Sequence, residues 1–202
     1  MKENQPIVGT SPSVAGRPRD LEATALVLQT TLALLDEEGF AHLTMQKIVQ
    51  RSGVAKTTIY RRWPNVASIV MDAFLSDMAS VSPISAKETA SETVRTSMRL
   101  FARTLRTRRG QLLRALLGRA QYDQELKEAF WLRWINPRRD AMTEVLRRGV
   151  ATGEFRRGLD LDIVIDGFYG PIYYRLLVPY AELSNSYIDS LVMYLLRGIA
   201  SK

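Results

Sequence analysis

Six polar side chains crowd into seven consecutive residues: Lys56, Thr57, Thr58, Tyr60, Arg61 and Arg62, interrupted only by Ile59. They are hydroxyls, one ammonium and two guanidinium groups, with no base–nucleophile pair among them. The chemistry they suit is recognition. Short hydroxyls fit phosphate oxygens close to a helix, while long cations reach base edges or phosphates further out. Between Glu38 and Asp72 the chain carries five basic residues and no acidic one, as a phosphate-facing surface requires.

The flanking pattern supplies the elements that must hold this cluster. From Asp20, Leu21, Ala25, Leu28, Leu32 and Leu35 recur at steps of three and four, and Gly39 closes the segment. Thr44 is placed to cap a second helix, Met45 to Ser52, that buries Ile48 and Val49. Gly53-Val54-Ala55 reads as a tight turn, with Gly53 free to take positive φ. Lys56 to Arg62 is then a short third helix locked by Val54 and Ile59. Pro64 breaks the chain, and Asn65 caps a fourth helix running from Val66 to about Ala79. Helix, three-residue turn, helix is the geometry that lays a second helix in the major groove of DNA.

The stretch from Leu43-Thr44-Met45-Gln46-Lys47-Ile48 through Gly53-Val54-Ala55-Lys56-Thr57-Thr58-Ile59-Tyr60-Arg61-Arg62-Trp63-Pro64-Asn65 resembles the signature of the TetR family of transcriptional regulators. The match covers about residues 20–75. The resemblance implies that Thr44, Thr58, Tyr60 and Arg62 contact phosphates and that Gln46, Lys56, Thr57 and Arg61 face base edges. Two departures stand out. Ala55 replaces a capping serine, and Val66 stands where a phosphate-binding lysine commonly opens the fourth helix. Asn65 compensates on this reading, because amides at a helix N-terminus bind phosphate. Gly16-Arg17-Pro18-Arg19 is similar to minor-groove-binding arms, with Arg17 as the inserted side chain; a tail with incidental arginines is the alternative.

Beyond a Ser/Pro stretch at Ser80 to Ser85, five more helices are expected near 86–107, 109–121, 124–150, 161–178 and 185–200. Asp123, Asp160 and Ser184 sit at N-cap positions, and Pro137 should disturb the long third rod. Residues 93–122 hold eight arginines and no acid. They form either a solvated face or a socket for an anionic effector. Phe101, Leu105, Phe130, Trp131, Trp134, Phe168, Tyr169 and Tyr173 are the candidates to line an effector cavity. Apolar stripes on the last two helices, with Ile172, Leu176, Ile188, Leu191 and Leu195, are the candidate homodimer interface. That pairing of the last two helices is what the resemblance implies, and Gly167, Gly170 and Gly198 would permit close helix approach.

Composition limits the alternatives. The 202 residues are 46% hydrophobic with net charge +7, a balance that suits a folded core and admits nucleic acid. Yet residues 1–80 carry 8 basic and 8 acidic side chains while 81–202 carry 20 and 13, so the clustering says more than the total. With no cysteine there is no disulfide or thiolate metal site. His42 has no nucleophile or metal-ligand spacing beside it, and Asp160/Asp162/Asp166 lacks the glycine-rich loop of a calcium site. No phosphate-binding loop or dinucleotide fingerprint occurs. The expectation is an all-α protein of about nine helices: an arm at 1–19, a helix-turn-helix domain with its linking fourth helix at 20–80, and an effector-binding and dimerisation domain at 81–202. It is expected to be a cytoplasmic, non-enzymatic repressor without cofactor, metal or membrane association. Its partners would be double-stranded operator DNA, a second copy of itself and a small-molecule effector. Activation instead of repression stays open, because operator position decides it.

Overall fold

The computed structural model describes residues 17–78 and 89–201. The chain before Arg17, the expected boundary at Ser80 to Ser85 and the expected helix start at 86 lie outside the described residues, as do the side chains of Arg17, Pro18 and Arg19. All the elements are helical: α1 (Arg17–Glu38), a 3-10 turn (Phe40–His42), α2 (Met45–Ser52), α3 (Lys56–Arg62), α4 (Val66–Met78), α5 (Ala90–Leu105), α6 (Arg108–Ala120), α7 (Gln124–Phe130), a π turn (Trp131–Ile135), α8 (Asn136–Ala151), α9 (Leu161–Leu177) and α10 (Asn185–Ile199). Because α7, the π turn and α8 run on without a break, the described residues form nine rods.

Helix α1 starts three residues earlier than its apolar pattern, with Pro18 in its first turn, where a missing N–H costs nothing. Its buried face is also rotated from the expected stripe. Leu21 is 63% exposed, whereas Val27, Thr31 and Leu34 are buried. Thr31 enters the core because its hydroxyl donates to the Val27 carbonyl at 2.8 Å, leaving only the methyl to pack. Helix α4 is buried along most of its length, through Ala67, Ile69, Val70, Met71, Ala73, Phe74 and Met78. It packs on α1 on one side and on α6 and α7 on the other, so the two halves of the chain share one core. Phe74 carries that continuity, with its ring edge-on to Trp134 at 4.6 Å.

The expected caps form in the body. Asp123 accepts the Leu126 N–H, Asp160 accepts those of Asp162 and Ile163, and Ser184 accepts that of Tyr187. A π turn precedes Pro137 in the long rod: the Asn136 N–H reaches back to the Trp131 carbonyl, five residues away. A second proline, Pro171, lies inside α9 without ending it. Gly149 on α8 is required by close approach, since a Cβ there would sit 2.2 Å from the buried Phe155 ring. Gly167 faces Leu195 at ordinary contact distance, but nothing lies within 4 Å of a Cβ built at Gly170 or Gly198, so within one protomer these two do not mediate close approach.

Glu154 ties the end of α8 to the start of α5, accepting the Ala90 and Ser91 N–H groups at 3.0 and 3.1 Å. Partial burial pushes its carboxyl up, but these backbone bonds outweigh that and hold it below the ordinary 4.5. A depressed carboxyl stabilises the fold above its unfolded pKa and loses that contribution as pH falls through the folded value. Glu154→Gln is therefore expected to melt about 1–4 °C lower at pH 7, from the carboxylate at a helix N-terminus. The gap should close as pH falls through the lowered folded value, below the ordinary 4.5. Paired thermal melts check this; an unchanged gap at low pH would exclude the charge as its source.

Candidate nucleic-acid interface and ligand cavity

The reading helix is positioned from below by Ile59 and Trp63, both buried, and from the side by the turn. Gly53 takes φ 66°, the left-handed value that ends α2 and bends the chain into α3. Ser52 secures the same corner, its hydroxyl oxygen accepting the Val54 N–H at 3.3 Å. Ala55 offers no side-chain cap to α3, in keeping with the missing serine. Thr44 caps α2 by accepting the Lys47 N–H at 3.2 Å, which leaves its hydroxyl proton free to donate outward.

Lys56, Thr57, Tyr60, Arg61 and Arg62 are exposed on α3, as are Thr44 and Gln46 at the start of α2, while Thr58 is half-buried. The acid-free run of sequence is not acid-free in space. Glu38 pairs with Lys47 and Glu37 with Arg51, so two of the five cations are neutralised from α1. Arg62 lies over Trp63 and donates to the Thr24 hydroxyl at 2.8 Å. Lys56, 5.5 Å from the Tyr60 ring centre, and Arg61 form no ion pair with a carboxylate among the described residues. Asn65 takes its expected place as the cap of α4. Its carbonyl caps α4 by accepting the Ser68 N–H at 2.8 Å, and its amide donates to Glu125, so both ends are engaged within the chain beside a negative charge.

Behind the reading helix, Trp63 donates its indole N–H to Asp72 on α4 at 2.7 Å. The other oxygen of Asp72 takes Arg133 from the π turn. Arg108 with Asp36 and Arg109 with Asp77 make further ties between α6 and the N-terminal helices. Arg99 pairs with Asp189 and Arg106 donates to Asn185, fastening α5 to α10. Four of the run's eight arginines thus tie one element to another. Sequence could not reveal them, because every partner but Asp123 of Arg119 is distant along the chain.

Between α8 and α9 lies a cavity of about 170 Å³ lined by Arg138, Arg139, Asp166, Tyr169 and Tyr173, with Ile135 at one end. The Arg138 guanidinium stacks 3.0 Å from the Trp134 ring centre. Burial pulls it down from 12.5 to about 10, so it remains a cation at neutral pH. The Trp134 indole donates to the Tyr173 hydroxyl at 3.1 Å. Burial raises the Tyr169 phenol to about 12 and pushes Tyr173 up as well, so both stay protonated.

A family model described as bacterial regulatory proteins, tetR family, matches residues 27–70, and one described as tetracyclin repressor-like, C-terminal domain, matches residues 87–195. YdeS of Bacillus subtilis (strain 168), an uncharacterized HTH-type transcriptional regulator, is 37% identical over 187 residues, 93% of this chain and 94% of that one. The chain belongs to the TetR family of transcriptional regulators. Among solved structures, the TetR family transcription regulator SCO0332 superposes with a TM-score of 0.73 at 30% identity, covering 89% of this chain and 99% of that one. The regulator FadR of Bacillus subtilis, solved with stearoyl-CoA, gives a TM-score of 0.69 at 20% identity over 87% of this chain and 98% of its own. The helix-turn-helix of this TetR-family regulator is its DNA-binding element, and α5–α10 are its C-terminal body.

Two groups of expected residues are each divided between different places in this TetR body. Of the aromatic candidates, Tyr169 and Tyr173 line the cavity, while Phe101 and Trp134 stand directly behind them, Phe101 edge-on to Tyr169 at 5.5 Å. Leu105, Phe130 and Phe168 fill the core instead, and Trp131 is 51% exposed because the π turn swings it outward. Ile172, Leu176 and Ile188 are buried against their own chain and have no area left for a second copy. Leu191 and Leu195 are half-buried at the margin of a different face, formed by Ile163, Gly167, Tyr194 and Gly198. Sequence reasoning passed over Arg138 and Arg139, for which two adjacent arginines after a proline were the available signal, and weighed Asp166 only as part of a metal site. Asp160 is a cap, Asp162 and Asp166 pair with Arg139, and no cluster able to hold a metal occurs among the described residues. None of the described helices is long and apolar enough to cross a membrane.

Proposed function

We propose that this TetR-family regulator is a cytoplasmic repressor that binds operator DNA as a homodimer and lets go when a small molecule occupies its C-terminal body. The observation that carries the proposal is the exposed face of α3, on which Lys56 and Arg61 form no ion pair among the described residues although their neighbours Lys47 and Arg51 are paired. Thr44, Thr58, Tyr60 and Arg62 act on phosphates; Gln46, Lys56, Thr57 and Arg61 read bases. Arg17, in the first turn of α1, adds a contact to the adjacent minor groove. Residues 20–80 form the reading domain and 81–202 the sensing and pairing domain.

Effector binding in the body is supported by the cavity beside Tyr169 and Tyr173 and by the polar line from the π turn through Arg133 and Asp72 to Trp63 at the end of α3. FadR of Bacillus subtilis, solved with stearoyl-CoA, offers a precedent for a ligand in this fold. By linkage, an effector weakens DNA binding by the factor with which DNA weakens effector binding. Selection from random duplexes followed by gel shift tests the DNA half. Tyr60→Ala should lower affinity for every sequence alike, whereas Arg61→Ala should cost about 1–3 kcal/mol and relax preference at one base. Undiminished operator binding by Tyr60→Ala would overturn these assignments.

A further inference from the structure

Among the described residues, Arg138 is a half-buried cation with no carboxylate in an ion pair with it. Its only hydrogen bond to them is a long one, 3.3 Å, to the Trp134 carbonyl one turn back in its own rod. The carboxylate that shares the cavity lining with it, Asp166, is taken by Arg139, which also pairs with Asp162. Arg138 therefore faces the cavity with its charge uncompensated and partly stripped of water, an arrangement that carries a stability cost unless an anion completes it. The two phenols beside it point the same way chemically. Tyr173 receives the Trp134 N–H on its oxygen, so its own proton remains to be donated, and Tyr169 is likewise a protonated donor. Ile135, Gly170 and the ring faces of the tyrosines supply apolar wall. At about 170 Å³ the space is close to that of a cavity known to take a benzene ring.

From the unpaired guanidinium, the two phenol donors and the size of the cavity, we infer that this pocket binds a small organic monocarboxylate. Its acid group sits against Arg138 between Tyr169 and Tyr173, and a compact, preferably planar apolar body fills the space toward Ile135. One cation without an acid partner matches one negative charge, and a guanidinium with flanking hydroxyls fits the two oxygens of a carboxylate. This names the chemical class of the effector invoked above and rests on that reading only for its effect on DNA, not for binding itself.

Calorimetric titration of the full chain with benzoate, phenylacetate and octanoate tests the site, with methyl benzoate and inorganic phosphate as comparators. At least one acid is expected to bind, and benzoate to bind at least tenfold more tightly than its methyl ester. Arg138→Gln should weaken the bound acid about 10- to 100-fold, the loss of a charge-assisted hydrogen bond. Tyr169→Phe, which changes no volume and keeps the test open if the Arg138 variant misfolds, should weaken it several-fold. Arg139→Gln should weaken it less than Arg138→Gln. Failure of all three acids to bind, or equal binding by wild type and Arg138→Gln, would overturn the inference. Phosphate binding as tightly as the best acid would overturn the organic monocarboxylate assignment. An acid that binds through Arg138 yet leaves operator affinity unchanged would keep the site and overturn effector release. Release by some other ligand, indifferent to Arg138→Gln and Tyr169→Phe, would do the reverse.

Discussion

Changing Ile163 and Tyr194 together to aspartate should leave a monomer whose operator affinity is lower by about 10²–10⁴-fold. The two side chains are 69% and 67% exposed in the single protomer, on the adjacent outer faces of α9 and α10. Around them lie Val164, Leu195 and the Cβ-free surfaces of Gly167 and Gly198, a mainly apolar groove with Arg156 and Asp160 also in its lining. Two-fold pairing over this area would place two copies of α3 against successive major grooves, and the second half-site is then bound at high effective concentration. Because both residues are already in water, aspartate there leaves the protomer core intact, which substitution of the buried Ile172 or Ile188 would not. Sedimentation with gel shift checks the result. A wild-type protein that runs only at 22.9 kDa with and without DNA, or a double variant that still dimerises, would remove this face from consideration.

A second large effect is expected at Asp72. Asp72→Ala leaves the buried Trp63 indole without its acceptor and frees Arg133, a loss of about 1–3 kcal/mol, which for a chain of this size lowers the melting temperature by roughly 3–10 °C. Asp72→Asn separates the two functions. Its carbonyl can still accept the Trp63 N–H while its charge toward Arg133 is gone. The Asn variant should therefore stay close to wild type in stability and bind operator, yet release it poorly when effector is added. If operator release by the Asn variant matched wild type at equal effector occupancy, the coupling would have to run elsewhere, through Arg108–Asp36 or Arg109–Asp77.

The local features were legible because their causes are local. Thr44, Asp123, Asp160 and Ser184 cap helices by accepting an N–H two or three residues ahead, and Gly53 bends the turn with its own φ. The reading helix was legible for the same reason, since exposure of Lys56 and Arg61 follows from the phase of Ile59 and Trp63. What periodicity could not decide was which of two apolar faces turns inward. Leu21 gave way to Val27 and Thr31 on α1, and Ile172 and Ile188 went to the protomer core while Ile163 and Tyr194 stayed outside. Both kinds of face are apolar at helical spacing, so only the packing of distant helices separates them. The cavity was half-legible: Tyr169 and Tyr173 stood out as aromatic, whereas Arg138 gains its meaning only because the carboxylate in the same cavity, Asp166, is paired with Arg139.

The π turn at Trp131–Ile135 has a consequence for how this chain can change length. A turn that closes on the fifth residue holds one more residue than an α turn over the same rise, so the surplus is stored inside a rod and not in a loop. Deleting one residue there would shorten no connection. It would close the bulge into a regular α turn, so that Met142 and Leu146 stay in the core and Arg138 stays beside the tyrosines of α9. The same deletion further along, in the regular helix of α8, has no surplus to draw on and turns everything after it by about 100°, the angle between neighbours in a helix of 3.6 residues per turn. The long rod therefore carries its own slack, and carries it at one place only among its described turns.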